Sequence, residues 1–229
     1  GDRGNVAGTL RESGRGNTGA AGAHALRRAL VALEVGLAMM LVVGAGLLVK
    51  SFSRLSNVSL GFDADRTLYL RVTIAASRYA RPSEYLPVAD RMLARVREVP
   101  GITAAALAKD GPMRAGGEPS SFVIPAQTAS ASSAEPRANF LPSSDGIVRA
   151  LGLRLIAGRD LIEQDGDSGA IGVVVSAGLA RKHWPERSPV GEEIEYQGRR
   201  MRVVGVAGDA RYTSVQGDPT PMIYVPNRI

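Results

Sequence analysis

The feature that most constrains this chain is an apolar stretch near its start, RRALVALEVGLAMMLVVGAGLLVKSF, at residues 27–52. Its uninterrupted part, residues 29–49, contains one acid, Glu34. At about 1.5 Å per residue, a helix over these 21 positions is about 31 Å long, close to the hydrocarbon thickness of a bilayer. The stretch predicts one membrane-spanning helix over residues 26–52, and it is too long for the apolar core of a signal peptide.

The basic residues around the stretch predict its orientation. Five arginines precede it, whereas Lys50, Arg54 and Arg66 follow it. Because positive charge is enriched on the cytoplasmic side of membrane spans, residues 1–25 are predicted to form a flexible cytoplasmic connector. Residues 53–229 are then predicted to lie outside the bacterial inner (cell) membrane, in the periplasm or the extracellular space.

Small residues and one acid inside the span are its candidate functional positions. Ala32 with Gly36 forms a small-xxx-small step, and Gly44 with Gly46 forms a second thin region that admits another helix. An ionised Glu34 costs on the order of a few kcal/mol in lipid. Two interpretations of Glu34 stay open: a packing or coupling contact with other membrane helices, and an acid near the interface that the positive helix N-terminus stabilises.

Composition excludes several function classes. The formal charge is +6, but half of the excess lies in residues 1–50, beside the span. Aromatic residues make up only 5% of the chain, too few for a base-stacking platform, so nucleic acid is not a predicted partner. The chain has no cysteine, which removes disulfides, thiolate zinc sites and cysteine nucleophiles.

Hydrophobic periodicity after the span predicts two strand-helix-strand units. The first has an alternating strand at 67–74, an amphipathic helix at 83–99 and a strand at 102–108. The second has a buried strand at 171–175, a helix at 177–183 and a hairpin that turns at Gln197-Gly198. The predicted fold class is α+β, with both units on a mixed sheet.

The polar residues offer no catalytic constellation, so no enzymatic activity is predicted. The only histidines are His24 and His183, and no Gly-x-Ser-x-Gly elbow or P-loop occurs. Residues 163–167, EQDGD, resemble the start of a calcium loop but lack its later bidentate glutamate. We therefore expect no cofactor or metal to be bound by this chain.

An ordered set of turn and packing residues resembles a known family. The set comprises Gly61-Phe62-Asp63, Tyr79, Pro100-Gly101, Gly152, Gly158-Arg159, Trp184-Pro185, Pro189-Val190-Gly191 and residues 203–211, VVGVAGDAR. It resembles the MacB-like periplasmic core domain of ABC transporter permeases in the FtsX-like superfamily. The connector and the arginine pair before the span resemble the start of the second half of a duplicated, acidobacterial-type permease.

The resemblance implies a mechanical function. A non-catalytic, membrane-anchored periplasmic domain would transmit ATP-driven movement of the membrane helices, for efflux or for extraction of a substrate. Implied partners are a cytoplasmic ABC ATPase subunit that uses the ATP, the other permease half or a second permease copy, a periplasmic adaptor, and membrane lipid. The resemblance also implies a core domain at 53–229 with a smaller inserted lobe around 112–160, and further spans after Ile229.

Two departures and one alternative accompany this interpretation. The family has an aromatic Gly-Tyr-Phe where residues 144–148 read SDGIV, and an asparagine where Ser176 stands. The alternative function is a single-span sensor or ligand-binding module, which predicts no further span after Ile229 and a signalling domain before Gly1. A membrane-anchored hydrolase is a third possibility, and it requires a reactive cluster in a cleft.

Overall fold

A computed structural model describes residues 17–56, 59–73, 81–112, 119–127, 135–166, 171–212 and 217–228. The chain divides into two compact units, residues 1–57 and 58–229. The first unit is built on one long helix, α1 (Asn17–Ser56). The second contains a mixed sheet with three shorter helices, α2 (Pro82–Arg97), α3 (Ile147–Ala150) and α4 (Ala177–His183). The predicted α+β class is confirmed.

Helix α1 is longer than the predicted span. It begins at Asn17, so residues 17–25, which we expected to belong to a flexible connector, are helical. The reason lies in the segment AAGAHAL at residues 20–26, because alanine and leucine have the highest helix propensities. Residues 1–16 of the predicted connector lie outside the described part of the chain.

The second unit is organised around a seven-stranded sheet in the order β1-β2-β7-β4-β6-β3, with β5 also paired to β6. The pairs β2/β7 and β4/β6 are parallel, and the remaining pairs are antiparallel. The strands are β1 (Ser120–Ser121), β2 (Arg137–Ser143), β3 (Leu155–Gly158), β4 (Ile171–Ser176), β5 (Glu193–Tyr196), β6 (Arg199–Ala207) and β7 (Met222–Pro226).

The two edges of this sheet are joined by one short segment. Ser120 and Ser121 pair with β2, and two residues later Val123 exchanges both backbone hydrogen bonds with Glu195 of β5, at 2.9 and 2.8 Å. The segment therefore connects the β2 edge to the β5 edge, and the sheet closes on itself. Closure satisfies backbone groups that an open edge would leave unpaired.

Alternation along the strands produces two hydrophobic clusters, one on each face of the sheet. Val173 and Val175 point to the first cluster, which includes Trp184 and the buried side of α4. Val174 points to the second cluster, which includes α3 and Tyr224. Since successive residues of a strand face opposite sides, β4 is buried on both faces, as its continuous apolar sequence predicts.

The second predicted strand-helix-strand unit is confirmed. Strand β4, helix α4 and the β5–β6 hairpin lie within one or two residues of their expected positions, and β4 pairs with β6 in parallel. The hairpin turns at Gln197 and Gly198, whose φ angles are 52° and 74°. Two successive positive φ values are the signature of the two-residue hairpin turn that fits the twist of the strands.

The first predicted unit is correct only in its helix, α2. Residues 67–73 form no strand, and Leu68, Leu70 and Val72 are 81%, 68% and 58% exposed. Their alternation predicted a buried face, but no described strand pairs with them, and a strand requires a neighbour. Residues 102–108 likewise form no strand beyond one bridge between Ala108 and Ser143. Residue 74 lies outside the described residues.

The range predicted for an inserted lobe contributes to the main sheet. Strand β2 pairs with β7, and β3 pairs with β6, so these two strands belong to the same sheet as β4 and the β5–β6 hairpin. Residues 113–118 and 128–134 of that range are outside the described residues. The predicted bounds of a smaller inserted lobe, roughly 112–160, stay a prediction.

An ion pair occupies the segment that resembles a calcium loop. Arg159 donates two hydrogen bonds to Asp165, at 2.6 and 2.7 Å, and the N–H of Ile162 donates a third at 2.9 Å. Burial alone would raise the pKa of Asp165, but the hydrogen bonds from Arg159 and Ile162 hold the pKa below its usual value. Asp165 is therefore engaged in fixing the turn after β3.

We expect the two partners of this pair to differ in importance. The Asp165 side chain is 6% exposed and that of Arg159 is 45% exposed. Arg159→Gln leaves a buried carboxylate without a cation, so it should lower the free energy of unfolding by about 2 kcal/mol. Asp165→Asn leaves an arginine that reaches solvent and should cost about 1 kcal/mol. Denaturant unfolding followed by the fluorescence of Trp184 measures both.

Acid titration provides the control for this prediction. Because the pKa of Asp165 is lowered on folding, its contribution to stability is complete above the usual carboxyl pKa of about 3.9 and is lost as the pH falls below it. Asp165→Asn should therefore reduce the loss of stability between pH 5 and pH 3. Two results would contradict this account of the ion pair: equal losses of unfolding free energy for Arg159→Gln and Asp165→Asn, or an Asp165→Asn variant that loses as much stability between pH 5 and pH 3 as the unmodified protein.

Candidate functional site

Helix α1 is the one helix among the described residues that is long and apolar enough to cross a membrane, over Gly22–Ser56. None of its apolar window is buried inside the protein, and side chains such as Met40 and Leu41 are 74% exposed. Arg27 and Arg28 lie toward its start and Arg54 in its last turn. The helix thus presents an apolar surface, interrupted only by Glu34 between residues 29 and 49, with basic residues near both ends, as a bilayer span requires.

The candidate residues of α1 lie on different sides of the helix. At about 100° per residue, Ala32, Gly36 and Gly46 fall within about 80° of one another. Glu34 lies about 160° from Ala32, which is at the centre of that side, and Gly44 lies between Gly36 and Glu34. A Cβ atom added at Gly36, Gly44 or Gly46 would meet nothing within 4 Å. A helix packed on the small-residue side therefore leaves Glu34 uncovered.

The segment that follows α1 in the sequence is docked on the second unit. The N–H of Arg211 donates to the carbonyl of Leu60 at 2.8 Å, and the N–H of Asp63 donates to the carbonyl of Leu151 at 3.3 Å. Between them, Phe62 packs against the second hydrophobic cluster. We call residues 60–63 the docked linker. It is attached to two places that are far apart in the sequence.

Glycine at position 61 is required by the closeness of this docking. Gly61 has a φ of 81°, and a Cβ there would lie 2.0 Å from the carbonyl oxygen of Asp209. A Cβ at Gly152 would likewise lie 2.8 Å from the Cβ of Asp63, and Gly152 has a φ of 64°. The backbone of Gly61 packs on the backbone of Asp209, and that of Gly152 packs on the Cβ of Asp63, and both glycines also have the positive φ that favours glycine.

Asp209 connects the docked linker to the start of α4. Its Oδ1 accepts a hydrogen bond from the N–H of Gly178 at 2.5 Å, and its Oδ2 accepts one from Arg181 at 2.6 Å. The carboxylate thereby satisfies one of the free N–H groups in the first turn of α4. The backbone of the same residue forms the surface against which Gly61 packs. Asp209 therefore holds together the docked linker, the segment after β6 and the start of α4.

Part of the set of turn and packing residues that carried the family resemblance meets here. Gly61, Phe62, Asp63 and Gly152 come together with the end of the VVGVAGDAR segment. The sequence showed their order but not their contact, since the pairing is between remote parts of the chain. The signal that was available is the placement of glycine beside a carboxylate in both segments.

His183 lies at the C-terminal end of α4 and takes part in packing. Its ring is in edge-to-face contact with Phe122 at a centroid distance of 6.1 Å, and its carbonyl accepts a hydrogen bond from Gln127 at 2.5 Å. Burial, with a contribution from Lys182, lowers the pKa of the imidazole. Among the described residues, no group of three His, Asp or Glu side chains could hold a metal ion.

The two departures from the family pattern have structural roles. Ser176 is 1% exposed, and its Oγ accepts a hydrogen bond from the N–H of Met222 at 3.1 Å, which links β4 to the start of β7. Ser144 Oγ accepts a hydrogen bond from the N–H of Leu107 at 3.0 Å, and the neighbouring Asp145 pairs with Arg97. Side-chain hydrogen bonds thus occupy the positions at which the family has an asparagine and an aromatic pair.

We expect Gly61→Ala to detach the docked linker. The added Cβ collides with the Asp209 carbonyl and also carries the cost of a positive φ, so stability should fall by about 2 kcal/mol or more. Gly217→Ala is the matched control, because Gly217 has the same φ of 81° but open space around it. Amide hydrogen exchange at residues 59–63 should rise strongly in the first variant only. Equal exchange in both variants would refute the docking.

A pH-dependent prediction follows from His183. Because its pKa is lowered on folding, the unfolded chain takes up a proton first, and stability falls as the pH drops below about 6.5. His183→Gln should flatten the decline in melting temperature between pH 7 and pH 5.5, as measured by circular dichroism. An identical decline in the variant would show that this imidazole does not titrate with unfolding.

Comparisons with known proteins identify what this arrangement is similar to. A model of the family described as MacB-like periplasmic core domain matches residues 29–229. No curated protein matches the sequence.

Solved structures give a more distant likeness. The periplasmic region of MacB from Actinobacillus actinomycetemcomitans is 18% identical with a TM-score of 0.41, and the match covers 61% of this chain and 55% of that one. The extracellular domain of the noncanonic ABC-type transporter YknZ from Gram-positive bacteria is 17% identical with a TM-score of 0.40, covering 60% and 62%. The chain therefore spans little more than half the length of these structures.

Proposed function

Since this chain belongs to the family of MacB-like periplasmic core domains, we propose that it transmits movement of membrane helices to the outside of an ABC transporter permease. In this proposal α1 lies in the inner membrane with its N-terminal side in the cytoplasm, and residues 53–229 lie in the periplasm. The domain itself performs no chemistry. The work comes from ATP hydrolysis in a separate cytoplasmic subunit, and the result is export or extraction of a substrate.

The docked linker is the observation that carries this proposal. A domain can act as a lever only if the chain leaving the membrane is attached firmly to a stiff body. The linker is held by hydrogen bonds to Arg211 and Leu151, and glycine at 61 allows contact with the backbone of Asp209. Only residues 57–59 separate it from the end of α1. A purely tethered binding module has no need of such an attachment.

The stiffness of the body comes from closure of the sheet and from its two hydrophobic clusters. Strand β4 is buried on both faces, so bending the sheet there would disrupt both clusters at once. A force applied through Leu60 and Asp63 enters the body beside the second cluster, where Phe62 packs. This force therefore acts directly on the second hydrophobic cluster.

The partners follow from the family and from α1. We propose that a cytoplasmic ATPase subunit drives α1 and that the small-residue side with Ala32, Gly36 and Gly46 packs on a helix of the other permease half or of a second copy. Glu34, on the other side, is then available for a coupling contact of its own. Membrane lipid covers the remaining apolar surface, and a periplasmic adaptor would contact the outside domain.

A flexible insertion tests the lever. The full permease with its ATPase would carry two spin labels on its only cysteines, one at Glu186→Cys, which is exposed, and one on an exposed residue of the paired periplasmic domain. Distances between labels on paired domains are measured by pulsed electron resonance, with and without ATP. We expect a six-residue Gly-Ser insertion between Asn57 and Val58 to reduce the ATP-driven shift by at least half, while ATP hydrolysis continues.

The control places the same insertion after Gly198, in the exposed β5–β6 hairpin turn, at the opposite end of β6 from the docked linker. The shift should then equal that of the unmodified protein. Two results would refute the proposal: a full shift despite the insertion at residue 57, or no ATP-driven shift in the unmodified permease.

A further inference from the structure

Helix α2 is attached to the sheet in a different way from α4. Of the α2 side chains that the structure describes, only Leu93 is buried, at 6% exposure, whereas Met92 and Val96 are 44% and 37% exposed. Helix α4, although less than half as long, buries Ala177, Leu179 and Ala180. Apolar contact therefore fixes α4 much more firmly than it fixes α2.

Ion pairs add polar contacts between α2 and the loops that follow β2 and β7. Arg97 donates to the Asp145 carboxylate at 2.9 Å and to the carbonyl of Ala105 at 3.1 Å. Arg228, just after β7, donates to Asp90 at 2.7 Å and lies 3.4 Å from Glu163. All of these side chains are at least one third exposed, so salt screens them.

A groove of about 210 Å³ lies between the two ion pairs. It is lined by Leu93 and Ala94 of α2, by Ser144 and Ile162, and by Asn227 on the opposite side. The two arginines and their acids close its ends. Neither hydrophobic cluster includes a described residue of α2, so the helix can leave the sheet without opening either of them.

We propose that α2 is a separately releasable element, held to the sheet by an ionic latch that consists of Arg97–Asp145 and Arg228–Asp90. Salt or loss of one pair shifts the helix toward an undocked state while the closed sheet stays folded. The latch joins α2 to the ends of β2 and β7, so its release frees the helix from the body to which the docked linker is attached. Local opening of this kind draws on the weakly packed part of a fold.

Hydrogen exchange measured by mass spectrometry on the full chain in detergent tests the latch. Peptides covering α2 are compared with peptides covering α4, at 50 mM and 500 mM sodium chloride. We expect exchange in α2 to rise about threefold to fivefold with salt, and exchange in α4 to change little. Arg228→Gln should raise α2 exchange at low salt to a similar extent and reduce its further response to salt.

Arg95→Gln is the matched control. Arg95 pairs with Glu98 at 3.7 Å within the same region of chain, with both side chains at least 69% exposed, and this pair does not join α2 to the sheet. The substitution should leave α2 exchange and its salt response unchanged. The latch is refuted if α2 exchanges as slowly as α4 at both salt concentrations, or if Arg95→Gln has the same effect as Arg228→Gln.

Discussion

The contact between the docked linker and the backbone around Asp209 is the constraint on which the rest of this structure depends. It joins the segment after the apolar helix to the end of β6, and through the Asp209 carboxylate to α4. The contact is made of backbone atoms and short hydrogen bonds, so it has little freedom to yield. A domain that is to follow a moving helix needs an attachment of this kind more than it needs a reactive group.

Two kinds of attachment coexist in the second unit. The closed sheet, with clusters on both faces, is held by burial, which salt does not weaken. Helix α2 is held mainly by charges at the surface. The unit thus combines a stiff body with one element that can leave it at small cost, and these two properties are useful to a protein that must both carry force and change shape.

The sequence predicted the parts of this fold whose signals are local. The β5–β6 hairpin follows from Gln197-Gly198 between alternating strands, and the end of α4 from Trp184-Pro185. The strand at 67–74 was wrong over its described residues, because alternation reports a preference for one face but not whether a neighbour exists to pair with. Closure through Val123 and Glu195 was not foreseen either, since a single bridge leaves no pattern in the residues around it.

In the candidate site too, local features were predicted and contacts between remote segments were not. The glycines and carboxylates of the docked linker were recognised as an ordered set, but their meeting depends on contacts between remote segments, which one sequence does not display. The faces of α1 were accessible in principle, because helical periodicity alone separates Glu34 from Ala32 and Gly36. The ion pairs of α2 could not be predicted from the sequence, because they join residues that are far apart in the chain.

The short stretch between α1 and the docked linker limits how far the end of α1 can move without pulling on the docked linker. From Ser56 to Leu60 the backbone reaches about 14 Å at most when fully extended. Extension of residues 57–59 can absorb a movement of the helix end within this distance, whereas a larger movement would pull on the docked linker. Under the proposed function, the length of these three residues therefore sets the smallest movement of α1 that would be transmitted to the second unit.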